Sequence, residues 1–385
     1  MASTFATVGI LSIGEMGLGI AKLLQASNYR VLTNVADRSE DTHQRARAAK
    51  LGLVATDEDL AHQSDYILSI VPPRDALSTA RRVIKAAAGQ VMTERRAPLF
   101  YIDLNAISPR SAREMAALFP SDVRFLDGGI IGPAPRPPKS NDATTGGWTC
   151  PSLVVSGSHK LEDAPGGQHL AETLNVKHIA PTVSTASALK MCFASMTKGF
   201  LGIATQSFTT AHRLGVLVEL REHLAEYSPK TGELAESGLV SMPPKAYRWV
   251  REMREIGETF KDDGGWGEKN RLFEGVEDVY RTVADETVLG SEKTGERIRG
   301  KDVGDVALCL SGYLVVVYGP SGAQSLRSGS KAYLRTRKRG PSVQTGAWVL
   351  SQGTVNLWSL LPNKQRESGP RYLEHQGIYD KKNRG

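Results

Sequence analysis

The sequence predicts an α/β fold: a doubly wound parallel sheet of the Rossmann type, then an all-α domain, then a basic irregular tail. Three observations carry this. Over the first ~150 residues short apolar runs alternate with helix-like segments, the signature of β-α-β units. Near the start, Thr7 to Ala21 passes from an apolar strand through a glycine-bearing turn straight into helix formers. From Ser184 the alternation stops and long stretches of helix formers replace it. The expected domains are residues 1–183, 184–292 and 293–385.

In chain order, strands are expected at Thr7–Leu11, Arg30–Asn34, Leu53–Ala55, Tyr66–Val71, Leu99–Leu104 and Arg124–Leu126, with Ser152–Ser156 and Val176–Ile179 extending the sheet. Helices are expected near Gly17–Ala26, Glu40–Lys50, Asp57–His62, Asp75–Ala87 and Pro109–Leu118. Ser39 and Ser108 sit where N-caps belong, and Pro109 takes the first helical position, where its missing N–H costs nothing. Gly128 to Pro151, with Pro133, Pro135, Pro137 and Pro138, reads as a long irregular loop with a function. Ser184–Arg213 is free of proline and reads as helix, followed by helices at Leu214–Tyr227, Lys245–Phe260 and Gly275–Val288, with Lys230–Pro244 as a loop. After Gly290 no helical period stands out. Ser, Gly, Arg and Lys dominate Ser321–Pro341, so the tail is expected to be irregular, the alternative being a small appended module.

Composition narrows the class. Apolar content of 40% and charged content of 23% are those of an ordinary globular protein. Cys150, Cys192 and Cys309 show no C-x-x-C spacing, and the eight histidines form no H-E-x-x-H pattern, which argues against a disulfide framework and a metal site. No basic region followed by an apolar stretch opens the chain, and the run Val306 to Tyr318 is shorter than the ~20 residues a membrane helix needs. The expected setting is the cytoplasm, with no membrane partner. The net charge of +7 belongs to the tail: residues 291–385 hold about 16 Lys and Arg against about 7 acids. The cluster Arg335-Thr336-Arg337-Lys338-Arg339 is therefore read as solvated rather than as a nucleic-acid site, although such a cluster can touch phosphates.

The glycine turn carries the chemistry. Gly14 lets backbone approach a phosphate, Gly17 lets the helix pack close on the strand, and the helix amino end offers free N–H groups to an anion. These are the needs of a dinucleotide pyrophosphate. Ser12 stands at the first glycine position of G-x-G-x-x-G and makes the turn less easily. Ser12, Ile13, Gly14, Glu15, Met16 and Gly17 are the expected phosphate-side residues; the plain alternative is a structural turn. Cofactor choice falls at the end of the second strand, Asn34, where Asp37-Arg38-Ser39 follows. The Arg38 fork and the Ser39 hydroxyl suit the 2′-phosphate of NADP, whereas Asp37 suits the ribose of NAD. NADP is expected, with NAD open.

Taken in order, these stretches resemble the 6-phosphogluconate dehydrogenase and β-hydroxyacid dehydrogenase superfamily, in its branch with a phosphogluconate-dehydrogenase-like carboxy-terminal domain. Gly9-Ile10-Leu11-Ser12-Ile13-Gly14-Glu15-Met16-Gly17 is similar to the family's opening motif. Asp65-Tyr66-Ile67-Leu68-Ser69-Ile70-Val71-Pro72 is similar to its fourth strand, and Asp103-Leu104-Asn105-Ala106-Ile107-Ser108-Pro109 to its fifth. Asp127-Gly128-Gly129-Ile130-Ile131-Gly132 falls at the family's substrate loop, and Ala188-Leu189-Lys190-Met191-Cys192 at its catalytic lysine. The resemblance runs from about Phe5 to Gly290. It implies that Val71 and Pro72 line the adenine and ribose passage, that Asn105 faces the nicotinamide, and that Gly128, Gly129, Ile131 and Gly132 approach substrate. It also implies a homodimer through the α-domain.

Two departures weigh on the substrate. The loop's usual serine is missing, with Ile131-Gly132-Pro133 in its place, and Phe193 and Ala194 stand where an asparagine is expected. A larger or more apolar carbonyl, or an imine, then fits better than a small β-hydroxyacid or 6-phosphogluconate. Lys190 is the expected general acid/base, because hydride transfer to a carbonyl builds charge on oxygen that an ammonium can neutralise. Its alternative is a lysine reaching to solvent. Lys198, eight residues on, either binds an anionic group or is simply exposed. Tyr247 and Trp249 read as core, or as a cap on the pocket. The expected activity is hydride transfer between NADP and a carbonyl or hydroxyl; the alternatives are a cofactor-binding sensor without turnover and an imine reductase.

Overall fold

In the computed structural model the described residues are 4–88, 97–138, 147–164, 166–292 and 295–318. The amino-terminal lobe is built from β1 (Thr7–Leu11), α1 (Glu15–Ala26), β2 (Arg30–Asn34), α2 (Glu40–Ala48), β3 (Gly52–Val54), α3 (Asp57–Gln63), β4 (Tyr66–Ser69), α4 (Ala76–Ala87), β5 (Leu99–Asp103), α5 (Pro109–Ala116), β6 (Val123–Ile131), β7 (Ser152–Ser156), α6 (Gly167–Thr173) and β8 (Val176–Ala180). The sheet has eight strands in the order β3-β2-β1-β4-β5-β6-β7-β8. Every pairing is parallel except β6 with β7. The chain winds outward from β1 in both directions, so a crevice opens beyond the carboxyl ends of β1 and β4, where ligands settle in such sheets.

Each sheet face is sealed by its own apolar cluster. Ile10, Ile20, Leu24, Leu68 and Ile102 lie on one side, and Leu11, Ile67, Val83, Tyr101 and Met115 on the other. That two-sided burial explains why the strands read as near-continuous apolar runs.

The helical lobe follows: α7 (Thr185–Ala194), α8 (Phe200–Leu214), α9 (Leu217–Tyr227), α10 (Pro229–Ser241), α11 (Ala246–Glu258), α12 (Leu272–Arg281) and α13 (Val303–Tyr318). A π-helical turn, Ser195–Gly199, joins α7 to α8. Met191, Phe208, Leu239, Met253 and Tyr280 form its core. Among the described residues no helix is long and apolar enough to cross a membrane.

Three expectations are corrected here. Lys230–Pro244 is mostly helix rather than loop. Its glycines are contact points: a Cβ at Gly238 would lie 2.0 Å from Leu201 Cδ2, so the glycine lets α10 press onto α8. Gly128–Ile131 is not loop but the end of β6, paired with Leu153 to Val155 and Ser152 of β7. The irregular tail does not begin at residue 293, because Val303, Val306, Ala307 and Leu310 recur at helical spacing and α13 buries them against the lobe's core. The second domain therefore runs through α13, and Ser321–Pro341 and the Arg335 cluster lie outside the described residues.

The lobes are tied by a buried carboxylate. Glu255 of α11 accepts from the Ser108 backbone N–H at 2.9 Å and the Ser111 hydroxyl at 3.1 Å, at the amino end of α5. Arg110 adds contacts to Glu258 and Asp262, and Arg113 to Asp263. Ser108 also caps α5 as expected, accepting from Ser111 N at 3.2 Å.

Candidate active site

The turn after β1 is shaped by one glycine and one strained serine. A Cβ on Gly17 would fall 2.1 Å from the Ser12 carbonyl oxygen, so only glycine lets α1 start this close to the strand. Ser12 itself sits at φ 75°, the left-handed region that glycine adopts more readily. Gly14 is the N-cap of α1, and no side chain caps the helix there. A Cβ on Gly14 would meet nothing nearer than Ser12 Oγ at 4.0 Å, because its missing side chain borders open space. The first amides of α1 thus face an open cradle, which fits a pyrophosphate. Ile13 is buried, and its side chain joins the core.

A cleft of about 480 Å³ extends from this cradle to the helical lobe. Of the predicted residues, Ser12, Gly14, Glu15, Met16, Gly17, Val71, Pro72, Asn105, Gly132, Lys190 and Lys198 line it. Tyr247 and Trp249 line it too; Trp249 is at once core and wall. Gly128, Gly129 and Ile131 are not part of the lining. Gly128 packs against Leu104 and the Asp103 carbonyl, and Gly129 against Lys190. Arg38 and Ser39 stand exposed beyond β2, apart from the cleft lining, and the Ser39 hydroxyl lies 3.1 Å from that of Thr42.

Asn105 is a brace. Its Oδ1 accepts from Val71 N at 2.7 Å, and its Nδ2 donates to Ser69 Oγ at 3.0 Å and to Asp103. Its amide is spent on holding the ends of β4 and β5, which form one shelf of the cleft. Asp103 is fully buried beside Asp127 on the next strand. Burial first, and the Asp127 charge second, raise the Asp103 carboxyl to about 8.

Lys190 projects from α7 across the end of β6 and donates to the Ile130 carbonyl. A Cβ on Gly129 would come 2.9 Å from Lys190 Cβ, so the bare glycine is what lets this helix face lie on the strand. Burial lowers the amine to about 8. Lys198 sits in the π-helical turn, ion-paired with Glu252 and 5.2 Å from the centroid of the Trp249 ring. Burial, then the charges of Lys190, Arg248 and Lys245, push its pKa down.

Sequence reasoning missed several wall residues. Glu252, Lys245, Arg248 and Arg136 line the cleft, and Phe193 forms an apolar part of it. Phe193 lies four residues beyond Leu189 and three before Met196, a spacing visible in the sequence. Nothing local marked Lys245 or Glu252, because they reach the cleft only once α11 packs beside α7. Among the described residues no cluster of His, Cys, Asp or Glu is arranged to hold a metal ion.

A glycine cradle at a helix amino end, a crevice at the sheet's switch point and a half-buried amine across from it are the features of a two-lobed protein that binds a nicotinamide dinucleotide. Residues 7–141 match the NAD binding domain of 6-phosphogluconate dehydrogenase, and residues 211–283 match the domain of unknown function DUF1932. These two matches cover most of the nucleotide-binding lobe and part of the helical lobe. It is 27% identical over 254 residues to an uncharacterized 28.5 kDa protein of Methanothermus fervidus, covering 65% of this chain and 88% of that one. In fold it is similar to 3-hydroxyisobutyrate dehydrogenase from Salmonella typhimurium, with a TM-score of 0.52 and 15% identity over 79% of this chain and 99% of that one. The corresponding enzyme of Mycobacterium tuberculosis gives a TM-score of 0.50 and 17% identity over 80% and 99%.

Proposed function

We propose that this chain is an NADP-dependent oxidoreductase that interconverts a carbonyl and a hydroxyl, with Lys190 as general acid/base. The observation that carries the reading is Lys190 itself: a half-buried amine whose pKa lies close to working pH, in the cleft that the phosphate cradle opens into. The nicotinamide, when bound, supplies or accepts the hydride. Lys190 as ammonium donates a proton to the substrate oxygen in reduction; as neutral amine it takes the hydroxyl proton in oxidation. The Ile130 carbonyl holds Nζ in place between turnovers. Lys198, paired to Glu252, serves to anchor the wall and not to transfer protons.

Ser12, Gly14, Glu15, Met16 and Gly17, with the Ile13 backbone, hold the phosphates, and Val71 and Pro72 flank the ribose. Arg38 and Ser39 select NADP over NAD by meeting the 2′-phosphate at the exposed end of β2. Gly132 and the Ile131 backbone meet the substrate, whereas Gly128 and Gly129 act by close packing. The exposed apolar residues Leu189, Phe193, Met196 and Ile203 recur along α7, the π-helical turn and α8, and support a homodimer formed through the helical lobe.

The test is calorimetry with NADPH and NADH, then NADPH oxidation across a panel of carbonyl compounds, for wild type and Lys190→Ala. Tighter NADPH binding is expected, with turnover that the substitution abolishes. Reduction should fall as pH rises through about 8 and oxidation should rise through the same value, since the two directions need opposite states of Lys190. Cofactor binding without turnover on any carbonyl would favour the sensor reading.

A further inference from the structure

The clamp that seats α7 on the sheet is built from the other lobe. Asp127 Oδ2 accepts from the Ser187 backbone N–H and from the Ser156 hydroxyl, both at 3.0 Å, and its other oxygen accepts from the Ser187 hydroxyl. The Ser156 oxygen in turn accepts from Ala186 N at 3.0 Å. Two free amides in the first turn of α7 are therefore satisfied by β6 and β7. The helix has no cap of its own: Ser184 at its N-cap stands at φ 86° and makes no side-chain capping bond.

Lys190 lies one helical turn beyond Ser187. Asp127 and Gly129 share a face of β6, since side chains alternate along a strand. Asp127 holds the start of α7, Gly129 admits the stem of Lys190, and Ile130 takes its ammonium. Three positions of one strand thus fix where the amine stands. Asp127 is wholly buried, and burial raises its carboxyl against the opposing pull of the hydrogen bonds from Ser187 and Ser156. Asp103, paired with it across the strands, accepts from Asn105, and its second oxygen has no partner among the described residues.

The geometry points to Asp127, bridged by Ser156, as the positioning residue for Lys190: it pins the amino end of α7 and so holds the amine in the cleft. This rests on Lys190 being the proton-transfer group, so the decisive measurement does not depend on turnover. Acetic anhydride labelling of the folded protein across pH, read by mass spectrometry at Lys190, gives the amine's titration midpoint directly. In wild type the midpoint is expected near 8. In Asp127→Asn one of the three donors loses its acceptor, α7 lifts and water reaches Nζ. The midpoint should then move toward the ~10.4 of an exposed lysine.

For the active enzyme, kcat should fall on the order of a hundredfold, the scale of a misplaced catalytic group, while the cofactor dissociation constant holds. Ser156→Ala removes only the bridge and should give smaller shifts of the same sign, which keeps the proposal testable if Asp127→Asn fails to fold. Wild-type midpoints in folded variants overturn it, as does a loss of kcat and thermal stability with an unmoved midpoint. If wild type turns over no carbonyl yet the midpoint shifts as stated, the clamp stands and the assignment of Lys190 to catalysis falls.

Discussion

Replacing Lys190 by methionine should abolish turnover and make the protein more stable. The amine has one hydrogen-bond partner, the Ile130 carbonyl, and no carboxylate pairs with it among the described residues. A pKa held at about 8 in the folded protein, against 10.5 for a free lysine, costs about 3 kcal/mol at neutral pH. Methionine fills similar volume without the charge, and gives up a hydrogen bond worth about 1 kcal/mol. Water at the half-buried amine screens part of the penalty, so the net gain should be about 1 kcal/mol. The pH dependence fixes the sign. Between about 8 and 10.5 the unfolded wild-type chain binds a proton that the folded one lacks, so wild-type stability rises across that window. The variant should lack that rise, and its advantage should vanish by the upper end. Urea denaturation at pH 7 and pH 10 measures both quantities, and NADPH oxidation measures the loss of activity. A folded variant no more stable than wild type at pH 7, with the same slope against pH, would refute the claim that this amine is held against its own solvation.

Gly17→Ala places a methyl 2.1 Å from the Ser12 carbonyl oxygen and must push α1 off the strand, so NADPH affinity should fall at least about tenfold with the circular dichroism spectrum unchanged. Arg38→Ala should weaken NADPH by roughly tenfold to a hundredfold, the worth of a charged hydrogen bond, and leave NADH untouched; equal losses for both would remove Arg38 from cofactor choice. Ser12→Gly relieves a left-handed serine and should raise stability by about 0.5–1 kcal/mol in thermal unfolding without loss of cofactor binding.

The sheet was legible because its strands are buried on both faces and write themselves as apolar runs: β1, β2 and β7 fall at the expected residues. Boundaries slipped where pairing, not composition, decides them. Gly128 and Gly129 look like loop formers, but β7 provides a ladder that keeps β6 extended through Ile131. Lys230–Pro244, expected as a loop, is mostly α10, and its glycines mark where neighbouring helices come closest. Gly14, Gly17 and Lys190 stand out in the sequence, the glycines because a tight strand-to-helix turn needs them at that spacing and Lys190 through the family resemblance. The wall does not: Glu252 and Lys245 are ordinary charges on a helix until α11 packs beside α7. In the sequence Asp127 is no more than the first residue of a loop motif, since a helix capped from a distant strand leaves no local signature.

The π-helical turn that carries Lys198 separates α7 from α8 along one long rod. Its extra residue lets α8 rotate to suit Leu201, Ala204 and Phe208 in the helical core while α7 keeps the orientation that β6 imposes. Drift in the packing of the carboxy-terminal half is therefore absorbed in Ser195–Gly199 before it reaches Lys190. Such a joint lets the carboxy-terminal half of this architecture vary while α7 stays seated on the sheet.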